Sequence, residues 1–272
     1  MTKRLVDDYD IVGFDLDGVV YRGPDPVPYA AEVIQELRRS GIRVGFATNN
    51  ALRDPVAVAD HLTHLGIATT PDDVVTSAQA TARIMAETLP PAAEVLTLGS
   101  AALVAEIVGV GLSAVRNRSA TTTAICVGFH PGLTWEDLNE GCFAVQAGAT
   151  WYACNADLNR PTPEGLAIGM GGMLKAMAEA LPGLSPIMGG KPARPLFDEI
   201  LLRLAGDLAA PRLLFVGDRL DTDVEGASLA GWDSLFVLSG SHSLADLALA
   251  APKQQPTYVG SDLRTLLENP GR

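Results

Sequence analysis

One stretch near the start of the chain constrains the fold more than any other. Residues 11 to 14 form an apolar run that is typical of a buried β-strand, and two carboxylates, Asp15 and Asp17, follow it. Gly18 then permits a turn at a point where a side chain would be in the way. Two acids at the end of a buried strand are costly unless a cation neutralises them, and Mg²⁺ prefers carboxylates together with phosphate oxygens. The stretch fits a metal and phosphate site, or an ordinary turn after a strand.

The composition of the chain limits its class. With 272 residues, 47% of them hydrophobic, the chain can bury a sizeable core in one large domain or two smaller ones. Its formal net charge of −12 argues against nucleic acid as a partner, because no basic stripe is available to meet a phosphate backbone. The apolar runs are too short to cross a membrane and no basic leader opens the chain, so we expect a cytoplasmic protein. Three widely spaced cysteines predict neither a disulfide framework nor a zinc site.

The rest of the chain alternates strand-like and helix-like segments. Up to residue 80 the order is strand, helix, strand, helix, which is typical of a right-handed parallel α/β sheet. From residue 81 to 185 the alternation restarts, with enough strands and helices for a compact domain of its own. It then resumes from residue 186 to 272. We therefore expect a parallel-sheet core made of residues 1–80 and 186–272, with a second α/β domain, residues 81–185, inserted into it.

Polar residues follow the later predicted strands as well. Thr48 and Asn49 come after the second strand, where a hydroxyl and a run of backbone amides could hold an oxyanion. Lys191 follows two glycines at the start of a predicted helix, and it is one of only four lysines in the chain. Each position also has an ordinary explanation. Thr48 and Asn49 could cap a helix, and Lys191 could be a solvated surface lysine.

Acidic residues follow the strand predicted over residues 212–216. Asp218 stands next to a glycine, and Asp221 and Asp223 come shortly after it, a pattern that a turn and a capped helix would also explain. Because open α/β sheets bind ligands at the carboxyl ends of their strands, we expect Asp218 to approach Asp15. Three acids, a hydroxyl and a single cation around one point are the groups that phosphoryl transfer requires.

Taken together, these segments resemble the four motifs of the haloacid-dehalogenase (HAD) superfamily of phosphatases. The matching residues are 14–18 (FDLDG), 48–50 (TNN), 190–192 (GKP) and 216–223 (VGDRLDTD). Only 33 positions separate Asp15 from Thr48, whereas 141 separate Asn50 from Lys191, so only the second interval can hold a large cap. This spacing is similar to subclass IIA, which includes para-nitrophenyl, phosphoglycolate, pyridoxal and glycerol-phosphate phosphatases. The resemblance implies a Rossmann-like parallel-sheet HAD core with an inserted α/β cap domain.

The resemblance also implies a Mg²⁺-dependent phosphatase that works through an aspartyl-phosphate intermediate. Asp15 would be the nucleophile, and Asp17 would be the general acid and base, with a pKa raised by the neighbouring carboxylate. The implied phosphate-binding residues are Thr48, Asn49 and Lys191. The implied metal ligands are Asp15, the Asp17 carbonyl, Asp218 and Asp223, the last acting directly or through water, with Asp221 as a further candidate.

Residues 155–166 resemble the substrate-facing cap segment of subclass IIA. Asn155, Asp157 and Arg160 are our candidates for substrate specificity, although an ordinary polar loop would also explain them. Cys154 and Ala156 stand where threonine and proline are frequent in the subclass, so the segment does not identify the substrate. Glycerol 3-phosphate is a reasonable first compound, because the arginine-rich and lysine-poor composition resembles that of some members. Phosphoglycolate, pyridoxal phosphate and nucleoside monophosphates are alternatives.

Two other classes of protein fit part of the pattern. A regulatory phosphoprotein could carry phosphate on Asp15 as a signal, but a long-lived aspartyl phosphate should lack a base such as Asp17. A binding protein with a vestigial site is the other class, and the presence of every motif acid and of Lys191 argues against it. We therefore predict a phosphoric monoester hydrolase acting on a small phosphorylated metabolite, without nucleic-acid or membrane partners, and either monomeric or homodimeric.

Overall fold

The computed structural model describes residues 3–162 and 164–269 and separates the chain into two compact units. The first unit contains the chain up to Thr48, Pro55–Val75 and the chain from Lys191 onward. The second unit contains Asn49–Asp54 and Thr76–Gly190. Pro163, which belongs to the predicted cap segment, lies outside the described residues.

The predicted domain boundaries differ from the boundaries of these units. The prediction divided the chain after residues 80 and 185, whereas the chain changes from one unit to the other after Val75 and after Gly190. The first difference arises because a helix begins at Ser77, within the residues assigned to the core domain, and buries Ala78 in the core of the second unit. The prediction also left residues 49–54 in the core domain.

Strands and helices alternate throughout the described residues. The strands are β1 (Ile11–Asp15), β2 (Tyr21–Arg22), β3 (Asp25–Pro26), β4 (Arg43–Thr48), β5 (Val74–Thr76), β6 (Glu94–Leu98), β7 (Ser113–Val115), β8 (Thr122–Val127), β9 (Thr150–Ala153), β10 (Asn159–Thr162), β11 (Gly165–Ile168), β12 (Ile187–Met188), β13 (Leu213–Gly217), β14 (Asp233–Val237) and β15 (Tyr258–Gly260). The α-helices are α1 (Ala30–Arg39), α2 (Pro55–His64), α3 (Ser77–Thr88), α4 (Ala101–Gly109), α5 (Trp135–Gln146), α6 (Met170–Ala180), α7 (Pro195–Ala205), α8 (Glu225–Ala230) and α9 (Leu244–Leu249). A π-helical turn spans Leu220–Val224, and a 3₁₀ segment spans Leu263–Leu267.

The first unit is built on a six-stranded sheet with the order β15-β14-β13-β1-β4-β5. The central strand β1 pairs in parallel with both β4 and β13. All five residues of β1 are buried, as expected for a parallel sheet that is covered on both faces. Because the chain order reverses at β1, the carboxyl end of this strand lies at the switch point where such sheets bind ligands.

The second unit has its own five-stranded sheet, with the order β12-β9-β8-β6-β7 and parallel pairing throughout. Along β8, Ile125 and Val127 join one apolar cluster, whereas Ala124 and Cys126 join another. This alternation places a core on each face of the sheet. An antiparallel hairpin, β10–β11, completes the unit. The two parallel sheets confirm the predicted α/β class.

The helices also bear on the membrane question. Among residues 3–162 and 164–269, the structure contains no helix with the length and apolar character needed to cross a membrane.

Candidate active site

The carboxyl ends of three neighbouring strands bring predicted site residues together. Asp15 is the last residue of β1, Thr48 is the last residue of β4, and Asp218 directly follows β13. All three side chains are buried. Since β1 lies between β4 and β13, these residues meet where the chain order of the sheet reverses.

Lys191 lies between two carboxylates. Its Nζ atom is 2.5 Å from Asp15 Oδ1 and 2.7 Å from Asp223 Oδ1, and its side chain is only 2% exposed. Burial by itself lowers the pKa of the ammonium group, but the charges of Asp15 and Asp223 outweigh burial and raise that pKa above its ordinary value. Lys191 is therefore a fixed buried cation, and the surface-lysine interpretation is wrong.

Three acids, which we call the carboxylate cluster, surround a single point. Ligand oxygens of Asp15, Asp218 and Asp223 all lie within 4.8 Å of one another. The oxygens of an octahedral Mg²⁺ shell are about 3 to 4 Å apart, so a small adjustment lets all three acids share one ion. Within residues 3–162 and 164–269, the buried Asp218 Oδ1 has no hydrogen-bond partner. An unsatisfied buried carboxylate oxygen is a ligand for a hard cation, so this cluster fits Mg²⁺.

Burial and repulsion raise the pKa values of two acids in the carboxylate cluster. Loss of hydration is the largest cause at Asp15, and the charges of Asp223 and Asp218 raise its pKa further, while Lys191 opposes them. Loss of hydration and the Asp223 charge raise the pKa of Asp218 to about 6, against a hydrogen bond from Ser241 that lowers it. A divalent cation bound here would reverse these effects, because it favours the ionised carboxylates.

A loop after β14 holds the Asp218 carboxylate in place. The Ser241 N–H donates to Asp218 Oδ2 at 2.5 Å, and the His242 N–H donates to the Asp218 carbonyl at 3.2 Å. The Ser239 hydroxyl donates to the Gly18 carbonyl at 2.8 Å. Gly18 has a φ of 90°, and a β-carbon there would collide with the Asp218 carboxylate, so only glycine fits. This loop has no signature in the sequence, because its contacts with Asp218 come from backbone N–H groups.

Asp221 and Asp223 have different partners. The Arg219 guanidinium donates to both Asp221 carboxylate oxygens, at 3.1 and 2.8 Å. Asp223 is buried, accepts the Arg219 backbone N–H at 3.1 Å, and contacts Lys191. Asp223 therefore belongs to the carboxylate cluster, whereas Asp221 forms an ion pair with Arg219.

Asp17 differs from Asp15 because its side chain is exposed. Nearby protein atoms still remove part of its hydration, which raises its pKa above the ordinary value, while the Gly23 N–H and the Arg22 charge lower it. The direction agrees with our expectation, but the expected cause is wrong, since desolvation and not a neighbouring carboxylate is responsible. A raised pKa favours the protonated form that a general acid needs.

The remaining candidates lie in the second unit. The Asn49 side-chain amide donates to Asp157 Oδ1 at 3.2 Å, and Asn155 Nδ2 donates to the Asn49 carbonyl at 2.8 Å. Because Asn155 is buried and engaged in this way, its side chain is poorly suited to the substrate contact that we expected. Arg160 is exposed on β10, and its guanidinium lies 4.8 Å from the centroid of the Phe129 ring.

The second unit also contains a cavity of about 250 Å³. Its walls include Arg116, His130 and Asp137, and none of the predicted site residues lines it. The candidate active site is therefore defined by the carboxylate cluster and Lys191, not by the size of a cavity.

Comparison with known proteins extends these observations. A family model described as haloacid dehalogenase-like hydrolase matches residues 12–113, and one described as HAD-hydrolase-like matches residues 188–266. The D-glycerol 3-phosphate phosphatase of Mycobacterium tuberculosis is 43% identical over 264 residues, which cover 97% of this chain and 72% of that protein. An acid sugar phosphatase of Staphylococcus epidermidis is 31% identical over 259 residues, which cover 95% of this chain and 97% of that protein.

Solved structures give the same result. The crystal structure of the glycerol phosphate phosphatase from Mycobacterium tuberculosis in complex with magnesium matches with a TM-score of 0.92 and 42% identity, covering 99% of this chain and 79% of that chain. The 4-nitrophenylphosphatase from Thermotoga maritima matches with a TM-score of 0.86 and 27% identity, covering 97% of this chain and 98% of that chain.

The chain belongs to the haloacid dehalogenase-like hydrolases. Within that superfamily it is a phosphoric monoester hydrolase of the subclass IIA type, and its cofactor is Mg²⁺.

Proposed function

We propose that this phosphatase hydrolyses glycerol 3-phosphate, with Asp15 as the nucleophile. The observation that carries the proposal is the buried ammonium of Lys191, which lies 2.5 Å from Asp15 in a cluster of three acids. Phosphoryl transfer depends mostly on positioning and on neutralising charge, and this arrangement offers both. The substrate is suggested by the 43% identical relative, whose name is D-glycerol 3-phosphate phosphatase.

In this proposal the carboxylate cluster binds the metal. Asp15, Asp218 and the Asp17 carbonyl would hold Mg²⁺, with Asp223 binding directly or through water. The bound ion supplies positive charge that neutralises the anionic nucleophile and the phosphoryl oxygens. Lys191 supplies further positive charge at the Asp15 carboxylate.

The chemistry proceeds in two displacements. An Asp15 carboxylate oxygen forms a bond to phosphorus while the ester P–O bond breaks, and Asp17 donates its proton to the departing alcohol oxygen. Water then attacks phosphorus and gives a proton to Asp17, while the bond from phosphorus to Asp15 breaks and inorganic phosphate leaves.

Two further residues orient the phosphoryl group. Thr48 donates its hydroxyl to a phosphoryl oxygen. Asn49 contributes its backbone N–H, because its side-chain amide donates to Asp157. Arg160, an exposed cation on β10, remains our candidate for recognising the leaving group.

The test is a phosphate-release assay on four compounds, with Mg²⁺ and with EDTA. The compounds are glycerol 3-phosphate, a sugar phosphate, a nucleoside monophosphate and para-nitrophenyl phosphate. We expect Mg²⁺-dependent release with the highest kcat/KM for glycerol 3-phosphate. A higher value for another compound would refute the proposed substrate, and no release from any of them would refute the proposed reaction.

Two further expectations concern the protein as a whole. We propose a cytoplasmic location, to which the three free cysteines, all of them buried, are suited. Light scattering after size-exclusion chromatography distinguishes a monomer from a homodimer.

A further inference from the structure

Four residues of the second unit form a cluster around the chain segment that follows Thr48. We call it the Asn49 cluster, and its members are Asn49, Ser77, Asn155 and Asp157. The Ser77 hydroxyl and Asn155 Nδ2 both donate to the Asn49 carbonyl, each at 2.8 Å. The Asn49 side-chain amide donates to Asp157 Oδ1 at 3.2 Å. Asn49 is therefore anchored through both its main chain and its side chain.

Asn155 connects two parts of the Asn49 cluster. Besides donating to Asn49, it accepts the Asp157 N–H on its Oδ1 atom at 3.2 Å. Asn155 is only 5% exposed and Ser77 is completely buried. Because water is largely excluded, these hydrogen bonds are stronger than they would be at the surface. One buried amide thus positions the backbone at residue 49 and the backbone at residue 157.

The Asn49 cluster also contacts the residue before Lys191. A β-carbon at Gly190 would collide with the Cys154 carbonyl oxygen and with Asn49 Oδ1, and it would lie 3.1 Å from Ser77 Cβ. Gly190 therefore packs directly against the cluster, where no larger residue fits. Lys191 follows it by one peptide bond.

The chain crosses from one unit to the other at four points in the sequence, and three of these crossings fall at or next to Asn49, Ser77 and Gly190. They are Thr48 to Asn49, Val75 to Thr76 next to Ser77, and Gly190 to Lys191. The first and the last crossing carry Thr48 and Lys191, the proposed phosphate-binding residues.

We propose that Asn155, Ser77 and Asp157 are positioning residues for phosphate binding. They hold the chain segment that contains Thr48 and Asn49, and so they set where the Thr48 hydroxyl and the Asn49 backbone N–H stand. The inference rests on the proposed function, in which those two groups bind the phosphoryl group. It replaces the substrate contact that the sequence suggested for Asn155 and Asp157.

A positioning role and a substrate-contact role predict different results. Loss of a positioning residue weakens the binding of every phosphate compound by a similar factor, inorganic phosphate included. Loss of a residue that contacts the leaving group changes the preference among substrates and leaves the affinity for inorganic phosphate unchanged.

Asn155→Asp is the first test, since it keeps the side-chain shape but replaces the donor that faces the Asn49 carbonyl. With Mg²⁺ present, we expect the Kd for inorganic phosphate, measured by calorimetry, to rise about tenfold, because one buried hydrogen bond is lost. KM should rise by a similar factor for every substrate. Asn139→Asp on α5 makes the same change in charge outside the cluster, and it should leave Kd and KM unchanged.

A second pair of variants covers the case in which Asn155→Asp does not fold. Asp157→Ala removes the acceptor for the Asn49 side chain and should weaken phosphate binding. Asp157→Asn retains an oxygen acceptor and should restore most of the affinity. Ser77→Ala should act in the same direction as Asp157→Ala.

Unchanged phosphate affinity in folded Asn155→Asp, Asp157→Ala and Ser77→Ala would overturn the inference. A loss confined to one substrate would overturn it as well, and would assign Asp157 to the leaving group. Phosphate binding needs no turnover, so the calorimetry separates this inference from the proposed function. A wild-type protein that binds phosphate but hydrolyses no ester would contradict the proposed function alone.

Discussion

The carboxylate cluster of the first unit and the Asn49 cluster of the second unit bury polar groups in different ways. The first unit places three acids around one buried ammonium, and burial and repulsion raise the pKa values of Asp15 and Asp218. The Asn49 cluster consists mainly of neutral amide and hydroxyl groups whose donors and acceptors pair with one another.

This difference determines which of the two clusters a bound cation stabilises. Buried neutral groups cost little when their hydrogen bonds are complete, whereas buried like charges remain costly until a cation joins them. We therefore expect the carboxylate cluster to respond strongly to charge, metal and pH, and the Asn49 cluster to respond mainly to the loss of individual hydrogen bonds.

The largest effect should come from removing the proposed nucleophile. Asp15→Asn should lower kcat by at least about a thousandfold, because the amide cannot attack phosphorus. Steady-state phosphate release with Mg²⁺ measures this. Asp221→Asn is the matched control, since Asp221 forms a partly exposed ion pair with Arg219 outside the carboxylate cluster. It should retain kcat within about twofold, and equal losses in both variants would remove the distinction between the two acids.

Removal of the buried cation should give the next largest effect. Lys191→Met leaves Asp15 and Asp223 without their neutralising partner. Breaking a buried ion pair in this way costs about 3–5 kcal/mol. We expect a decrease of this order in the free energy of unfolding, measured by urea denaturation at pH 7.5 without metal. Lys175→Met, in the second unit, provides a control, and equal stability of the two variants would contradict the assigned role of Lys191.

A lower pH should stabilise the metal-free protein, which is the reverse of ordinary acid denaturation. The pKa of Asp218 is about 6 in the folded protein, above the ordinary value of 3.8. Between these two pH values the folded state binds a proton that the unfolded state does not. The contribution of Asp218 to the free energy of unfolding is therefore fully present below pH 4 and is lost as the pH rises through 6. The two pKa values differ by roughly 2, and a difference of 1 corresponds to about 1.36 kcal/mol. The expected loss in the free energy of unfolding is therefore about 2–3 kcal/mol.

Thermal unfolding in EDTA between pH 5 and 7.5 measures about half of this loss, because the other half falls below pH 5. Adding Mg²⁺ at pH 7.5 should reverse it. Asp218→Asn should weaken both the pH response and the response to Mg²⁺, because the titrating metal ligand is absent. A wild-type protein whose stability does not change with pH or Mg²⁺ would refute the contrast between the two clusters.

The smallest effect should come from an exposed charge of the second unit. Arg160→Ala removes an exposed guanidinium that lies over Phe129, and we expect KM for glycerol 3-phosphate to rise about threefold, corresponding to a solvent-exposed ionic contact with the substrate of about 0.5–1 kcal/mol. Arg118→Ala is the matched control, because Arg118 also lies over an aromatic ring, Phe143. Equal KM values for the two variants would exclude Arg160 from substrate recognition.

Several features followed from the sequence because each depends on local pattern or on parallel-sheet geometry. The continuous apolar run predicted the buried strand β1. Since parallel strands end at one edge of a sheet, placing Asp15 and Asp218 at strand ends was enough to predict their proximity. The short strands β5 and β15, with three residues each, have too few residues to show a period and were not predicted.

Tertiary structure decided which polar residues share a partner. Asp221 and Asp223 lie in one π-helical turn and are nearly equivalent in sequence, yet only Asp223 is buried against Lys191. Asn155 looked like a substrate-facing residue, and its hydrogen bond to the Asn49 carbonyl joins positions 106 residues apart. The sequence by itself determined the α/β class and pointed to the residues that we propose carry the chemistry. Partners joined through backbone N–H and carbonyl groups leave no pattern in side chains, so only the folded chain decided them.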